Sequence, residues 1–132
     1  MGVNRKIPVK ARVKLMLVTD ERFFGPGVCE LLERIRETGS IQAAAARMEM
    51  SYTKAWKILN RAEKEMNCPL TVRVNGGKSG GRSSLTPEGK KAVAAFREME
   101  RRLQMESERI LAEYAKALLP RRDRYCQEGD RG

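Results

Sequence analysis

Four consecutive alanines, Ala43–Ala46, lie between Ser40 and Ser51 in the stretch GSIQAAAARMEMSYTKAWKILNRAEKEM, which runs from Gly39 to Met66. Alanine combines the best helix propensity with almost no bulk, so a helix built here lets its neighbours approach closely. Gly39 closes a preceding helix, Ser40 caps the alanine helix, and Ser51 caps a second helix after the break at Met48–Ser51. In that second helix Ala55, Ile58, Leu59, Ala62 and Met66 recur at helical spacing and predict a buried face. Thr53, Lys54, Lys57, Asn60, Arg61 and Lys64 fall opposite. Two helices joined by a tight turn, the second with one apolar and one basic stripe, predict a helix-turn-helix. The second helix of such a unit enters the major groove and offers its N-terminal residues to base edges. Ser51, Tyr52, Thr53, Lys54 and Lys57 are therefore the candidate base readers, and Arg61 and Lys64 candidate phosphate contacts.

The flanks support this centre. Residues 1–9 read as a loose basic arm. Val9, Ala11, Val13, Leu15 and Leu17 alternate with Lys10, Arg12 and Lys14, which predicts a half-buried strand. Thr19–Arg22 turns the chain, Phe23 and Phe24 form a short apolar piece that can pair, and Gly25-Pro26-Gly27 breaks it. Val28–Thr38 is an amphipathic helix with Val28, Leu31, Leu32 and Ile35 on its core face. Pro69 ends the second helix of the pair. Leu70–Val74 and Ser83–Thr86 read as two strands joined by a glycine-rich tip carrying Lys78 and Arg82. A hairpin of this kind suits a wing laid on the sugar-phosphate backbone or in the minor groove, with Gly77, Lys78 and Arg82 as its contacts. A plain hairpin without a partner is the alternative. A nucleotide-binding loop is excluded: its pattern needs glycine where Val72 stands, and strand-like residues follow where a helix is required.

Thr86-Pro87-Glu88 is a helix start, and after Gly89 neither glycine nor proline interrupts the chain to Leu118. Ala92, Val93, Phe96, Met99, Leu103, Ile110, Leu111, Tyr114 and Leu118 form its apolar stripe. Such a helix reaches ~45 Å at 1.5 Å per residue, longer than the rest of the domain can cover. A second copy of the chain is the economical partner, and a helix folded back on its own domain is the alternative. Pro120 stops the helix, and residues 119–132 read as a disordered polar tail. The expected fold is mostly α with a small β component. Residues 10–86 form a winged helix-turn-helix with an N-terminal strand, and residues 87–118 form a long dimerisation helix.

Charge follows the same division. The 132 residues carry 27 basic and 17 acidic side chains, a net charge of +10, which favours an anionic partner. Residues 47–91 hold ten basic and four acidic side chains, whereas residues 92–115 hold four and five. The chain contains no histidine, so no Ser/His/Asp or Cys/His set exists and no enzyme is expected. Cys29, Cys68 and Cys126 are scattered without a CxxC, which argues against a metal centre and for a reducing compartment. Cys29 reads as a buried, inert thiol. Trp56 reads as core packing with base stacking as the alternative, and Tyr52 as either a DNA contact or a buried phenol. No apolar run is long enough for a membrane span and no signal peptide is present, so the expected compartment is the cytoplasm of a prokaryote.

The motif LLxxIxxTGSIxxAA, then SYxxAW, then GGKxGG and LTPEG resembles the N-terminal DNA-binding domain of ModE-type molybdate-responsive regulators, a winged helix of the LysR-like class. Gly25, Gly27, Leu31, Leu32, Ile35, Thr38–Ile41, Ala44, Ala45, Ser51, Tyr52, Ala55, Trp56, Gly76–Lys78, Gly80, Gly81, Leu85–Pro87 and Gly89 carry the likeness, which extends over about residues 10–118. The resemblance implies a homodimer built by the N-terminal strand and the long C-terminal helix. The interface candidates are Val13, Leu15, Leu17, Phe96, Met99, Leu103, Ile110, Leu111 and Tyr114. It also implies that the helix from Ser51 and the wing bind operator DNA. Regulators of this type carry a C-terminal molybdate-binding module, and this chain ends before one could begin. No cofactor is therefore assigned, and a separate effector-sensing protein is an expected partner. Ser79 and Arg82 stand where the family commonly has glycine, which makes this wing more basic. Three functions remain open: a sequence-specific regulator of molybdenum-linked genes, a protein-interaction adaptor on a winged-helix platform, and a direct molybdate or tungstate sensor.

Overall fold

The computed structural model describes residues 8–74 and 81–122. Two units divide the chain, Leu15–Glu98 on one side and Met1–Lys14 with Met99–Gly132 on the other. The first begins with β1 (Leu17–Val18) and β2 (Arg22–Phe24), an antiparallel pair, followed by α1 (Pro26–Thr38), α2 (Ile41–Arg47) and α3 (Tyr52–Met66). Then come β3 (Thr71–Val74) and β4 (Arg82–Leu85), the antiparallel wing, and the start of α4 (Pro87–Leu118). The fold is thus mostly helical with two small sheets, a winged helix-turn-helix with a long C-terminal helix, as the sequence pattern predicts.

Local chemistry sets the helix ends. The Ser40 hydroxyl accepts the Ala43 N–H and the Ser51 hydroxyl accepts the Lys54 N–H, both at 3.0 Å, satisfying amides that have no partner inside a helix. Gly39 ends α1 in the left-handed conformation with φ 73°, and Asn67 ends α3 the same way with φ 58°. Proline at the first position lets α1 begin at Pro26, two residues before the expected start.

Leu31, Leu32 and Ile35 from α1, Ala44 and Ala45 from α2, and Ala55, Leu59 and Ala62 from α3 are buried together with Leu70, Leu85, Val93 and Phe96. Each fully buried leucine or isoleucine contributes ~1.5–3 kcal/mol. The alanines let three helices share this small core. Cys29 is fully buried, and its thiol faces the Val93 carbonyl at 3.9 Å, as an inert structural cysteine should. Gly89 sits where a Cβ would lie 2.2 Å from the Leu70 carbonyl oxygen, so the first turn of α4 can rest against the wing base only with glycine there.

One expectation is corrected in this unit. Phe96 is not an interface residue: it is 3% exposed and its ring lies 5.2 Å from that of Phe24 within the core. Helical periodicity places Phe96 on the same stripe as Met99 but cannot tell where the domain's own core ends. Leu15 and Leu17 are half-buried against that core too, and so are partly spent before any partner arrives.

In the second unit the expected strand over 9–17 does not form; only Leu17–Val18, across the unit boundary, is a strand. Two backbone groups of the preceding segment bond one glutamine instead of a neighbouring strand. The Val13 N–H donates to Gln104 Oε1 at 3.3 Å, and Gln104 Nε2 donates to the Ala11 carbonyl at 2.7 Å. Alternating side chains are compatible with an extended chain, but a strand requires a ladder. The outer part of α4 leaves Met99, Leu103, Ile110, Tyr114 and Leu118 exposed, while Leu111 is half-buried. Past the helix the Leu119 N–H bonds the Ala115 carbonyl and the Arg122 N–H bonds that of Leu119. The rest of the expected tail, most of the basic arm, and Gly77 and Lys78 at the wing tip lie outside the described residues.

Candidate nucleic-acid interface

The helix-turn-helix separates α3 into two faces. Ala55, Leu59 and Ala62 are fully buried and Ile58 and Met66 are packed against the core. Ser51, Tyr52, Thr53, Lys54, Lys57 and Lys64 are exposed, so five candidate base readers and one phosphate contact share the solvent side of one helix. The Ser51 hydroxyl is engaged as the cap while remaining at the surface. Tyr52 is 48% exposed, which decides between its two readings in favour of an accessible phenol.

Arg61 is placed differently. Its guanidinium pairs with Glu21 at 3.0 Å and Asp20 at 3.9 Å, and its Nε donates to the Arg22 carbonyl at 3.3 Å. It anchors the β1–β2 turn to α3 rather than joining the basic face. The hydrogen bond from the Thr19 hydroxyl, backbone N–H groups and Arg61 hold the Asp20 carboxyl below its usual range.

The wing is fastened at both strands. The Glu63 carboxylate, on α3, accepts the Leu70 N–H at 2.7 Å and the Thr71 N–H at 3.2 Å, fixing the start of β3 to the reading helix. Ser83, on β4, donates its N–H to the Gly39 carbonyl at 2.8 Å, fixing β4 to the junction of α1 and α2. Thr86 closes the base: its hydroxyl donates to the Pro69 carbonyl at 2.7 Å and accepts the Gly89 N–H at 2.9 Å. Arg82, at the tip end of β4 and opposite Val74, is exposed.

Sequence reasoning missed one member of this surface. Arg73, on β3, lies over the indole of Trp56 with its guanidinium carbon 3.5 Å from the ring centroid. Trp56 in turn meets Tyr52 edge to face at 6.1 Å. Trp56 is half-buried: one part packs on the core as expected, and the other carries a cation. Nothing local in the sequence joins positions 56 and 73; the Glu63 bridge and the hairpin register do.

A separate buttress links α1 to α4 inside this unit. Arg97 donates to both carboxylate oxygens of Glu33, at 2.8 and 3.0 Å. That hydrogen bonding, more than charge alone, holds the Glu33 carboxyl below its ordinary value of 4.5 against the opposing effect of burial.

Residues 28–90 match the bacterial regulatory helix-turn-helix family of lysR type. They form a lysR-type helix-turn-helix domain. Relatives extend the likeness beyond this domain. The chain is 39% identical over 94 residues to the molybdenum transport protein ModE of Herbaspirillum seropedicae, covering 71% of this chain and 33% of that protein. It is 40% identical over 70 residues to the molybdenum-pterin-binding protein MopB of Rhodobacter capsulatus, covering 53% and 26%. It is 30% identical over 89 residues to the DNA-binding transcriptional dual regulator ModE of Escherichia coli K12, covering 67% and 34%. The chain thus spans about a third or less of the length of these relatives. The lysR-type domain contains every candidate base reader and the whole wing. Among the described residues no helix is long and apolar enough to cross a membrane.

Proposed function

We propose that the chain is a sequence-specific DNA-binding transcriptional regulator that acts as a homodimer on molybdenum-linked genes. The observation that carries this reading is the division of α3: Tyr52, Thr53, Lys54 and Lys57 are exposed in its first turns, while Ala55, Leu59 and Ala62 are sealed in the core of a lysR-type domain. The helix is rigidly mounted and its leading residues are accessible, as major-groove reading requires. The apolar stripe of Met99, Leu103, Ile110 and Tyr114 supports a second copy as partner. The molybdenum link rests on the names of the relatives, including a transcriptional regulator and a molybdenum transport protein. No cofactor is assigned.

Fluorescence anisotropy tests this, on the duplex upstream of the chain's own gene and on a random duplex, over several salt concentrations. The expected result is ~10³-fold tighter binding to the first. Equal, steeply salt-dependent binding to both would overturn specific regulation and leave a basic coating or adaptor protein. Adding molybdate to the same titration is expected to change nothing; a shift in affinity would make the chain itself an oxyanion sensor.

A further inference from the structure

Arg73 is exposed on β3, and among the described residues no carboxylate pairs with it. Its guanidinium carbon is 3.5 Å from the Trp56 ring centroid. At that distance only a face-on stack fits, because an edge-on approach would drive its nitrogens inside van der Waals contact. Stacking occupies the faces of the guanidinium and leaves its N–H donors pointing outward in the plane. The result is a cation held over the ring with an open donor rim. Trp56 is one helical turn beyond Tyr52 on α3, and Arg73 faces Ser83 in the wing register, so a single side chain touches the flank of the reading helix and the middle of the wing. Groups at the flank of a groove-bound helix meet the sugar-phosphate backbone rather than base edges.

We infer that Arg73, stacked on Trp56, binds a phosphate of duplex DNA between the reading helix and the wing, with the Trp56 ring as the platform that aims it. This rests on the DNA-binding reading above and deepens it. The planar rim matches two phosphate oxygens at once, which a lysine ammonium at the same place does not. Because the platform is preformed, the side chain gives up little freedom on binding.

The test measures binding of the full chain to the two duplexes named above, with Arg73→Ala, Arg73→Lys, Trp56→Phe and Trp56→Leu. Arg73→Ala is expected to weaken binding roughly tenfold on both duplexes near 0.1 M salt and to lower the salt slope by about one. Arg73→Lys should restore the slope without restoring the full affinity. Trp56→Phe should retain most binding. Trp56→Leu should lose it although every charge remains, and Trp56→Leu combined with Arg73→Ala should be no worse than Arg73→Ala alone. Trp56 is the single tryptophan, so its emission reports the site directly: DNA should change it in the original chain and much less in Arg73→Ala. Unchanged affinity and slope in Arg73→Ala, with the original chain still binding DNA, would overturn the phosphate role alone. A loss confined to the upstream duplex would also overturn it, by making Arg73 a base reader. Failure of the original chain to bind any duplex would overturn the regulator reading, and this inference with it.

Discussion

The helices of the Leu15–Glu98 unit and the outer stretch of α4 carry apolar stripes of similar spacing but use them in opposite ways. In α1 and α3 the stripe residues Leu31, Leu32, Ile35 and Leu59 are entirely buried within the chain. In the outer stretch, Met99, Leu103, Ile110 and Tyr114 are 39–58% exposed. Amphipathic periodicity says which face wants burial; it does not say whether this chain or another molecule supplies the cover. The stripes of α1 and α3 are covered within the chain, whereas much of the outer stripe of α4 is left exposed.

Mutations at the two kinds of stripe should therefore separate. Leu59→Ala leaves a cavity in a core with few large side chains, and a loss of ~2–5 kcal/mol in urea unfolding is expected. A loss below ~1 kcal/mol would mean that the alanine-rich core collapses around the gap. Leu103→Glu should act on association: sedimentation should show a dimer constant weakened at least about a hundredfold, since both copies would bury a charge. Head unfolding at concentrations where the chain is already monomeric should stay within ~0.5 kcal/mol. Equal sedimentation of the two would remove the stripe from the interface.

Backbone and charge give smaller effects. Gly39→Ala imposes a Cβ on a residue with φ 73°, and about 1 kcal/mol of thermal stability should be lost through the backbone alone, with no clash added because a Cβ there meets nothing within 4 Å. The smallest effect belongs to Glu33. Its carboxyl titrates lower when folded than when unfolded, so its bond to Arg97 stabilises fully above about pH 4.5 and is lost as pH falls through the lowered value. Glu33→Gln should cost at most ~1 kcal/mol at pH 7, because both partners are partly solvated, and the difference from the original chain should fade below pH 4.5. A difference that persisted in acid would indicate a packing effect instead.

What the sequence made legible was what local chemistry decides. Ser40, Ser51 and Thr86 cap the helices expected of them, because a cap is a contact over three residues. The wing strands appear on either side of their glycine-rich link because a hairpin pairs segments that are neighbours in the chain. Contacts set by tertiary distance were not legible. Alternation at Val9–Leu17 was real, but in place of a ladder two backbone groups of that segment bond Gln104, over ninety residues away. Arg61 sits on the basic side of α3 by spacing, yet Glu21 claims it from forty residues upstream. Arg73 belonged to no motif, and only the folded wing brings it to Trp56.

The bond from the Ser83 N–H to the Gly39 carbonyl has a kinetic consequence. Ser83 directs this amide out of its own hairpin, whereas alternate residues of β4 spend theirs on the ladder with β3. If the wing lifts as an intact hairpin, the Ser83 amide becomes open to solvent deuterium while the ladder amides stay closed. Its exchange rate therefore clocks wing undocking separately from wing melting. Slower exchange of that one amide in the presence of DNA would show that the duplex closes the wing onto the head.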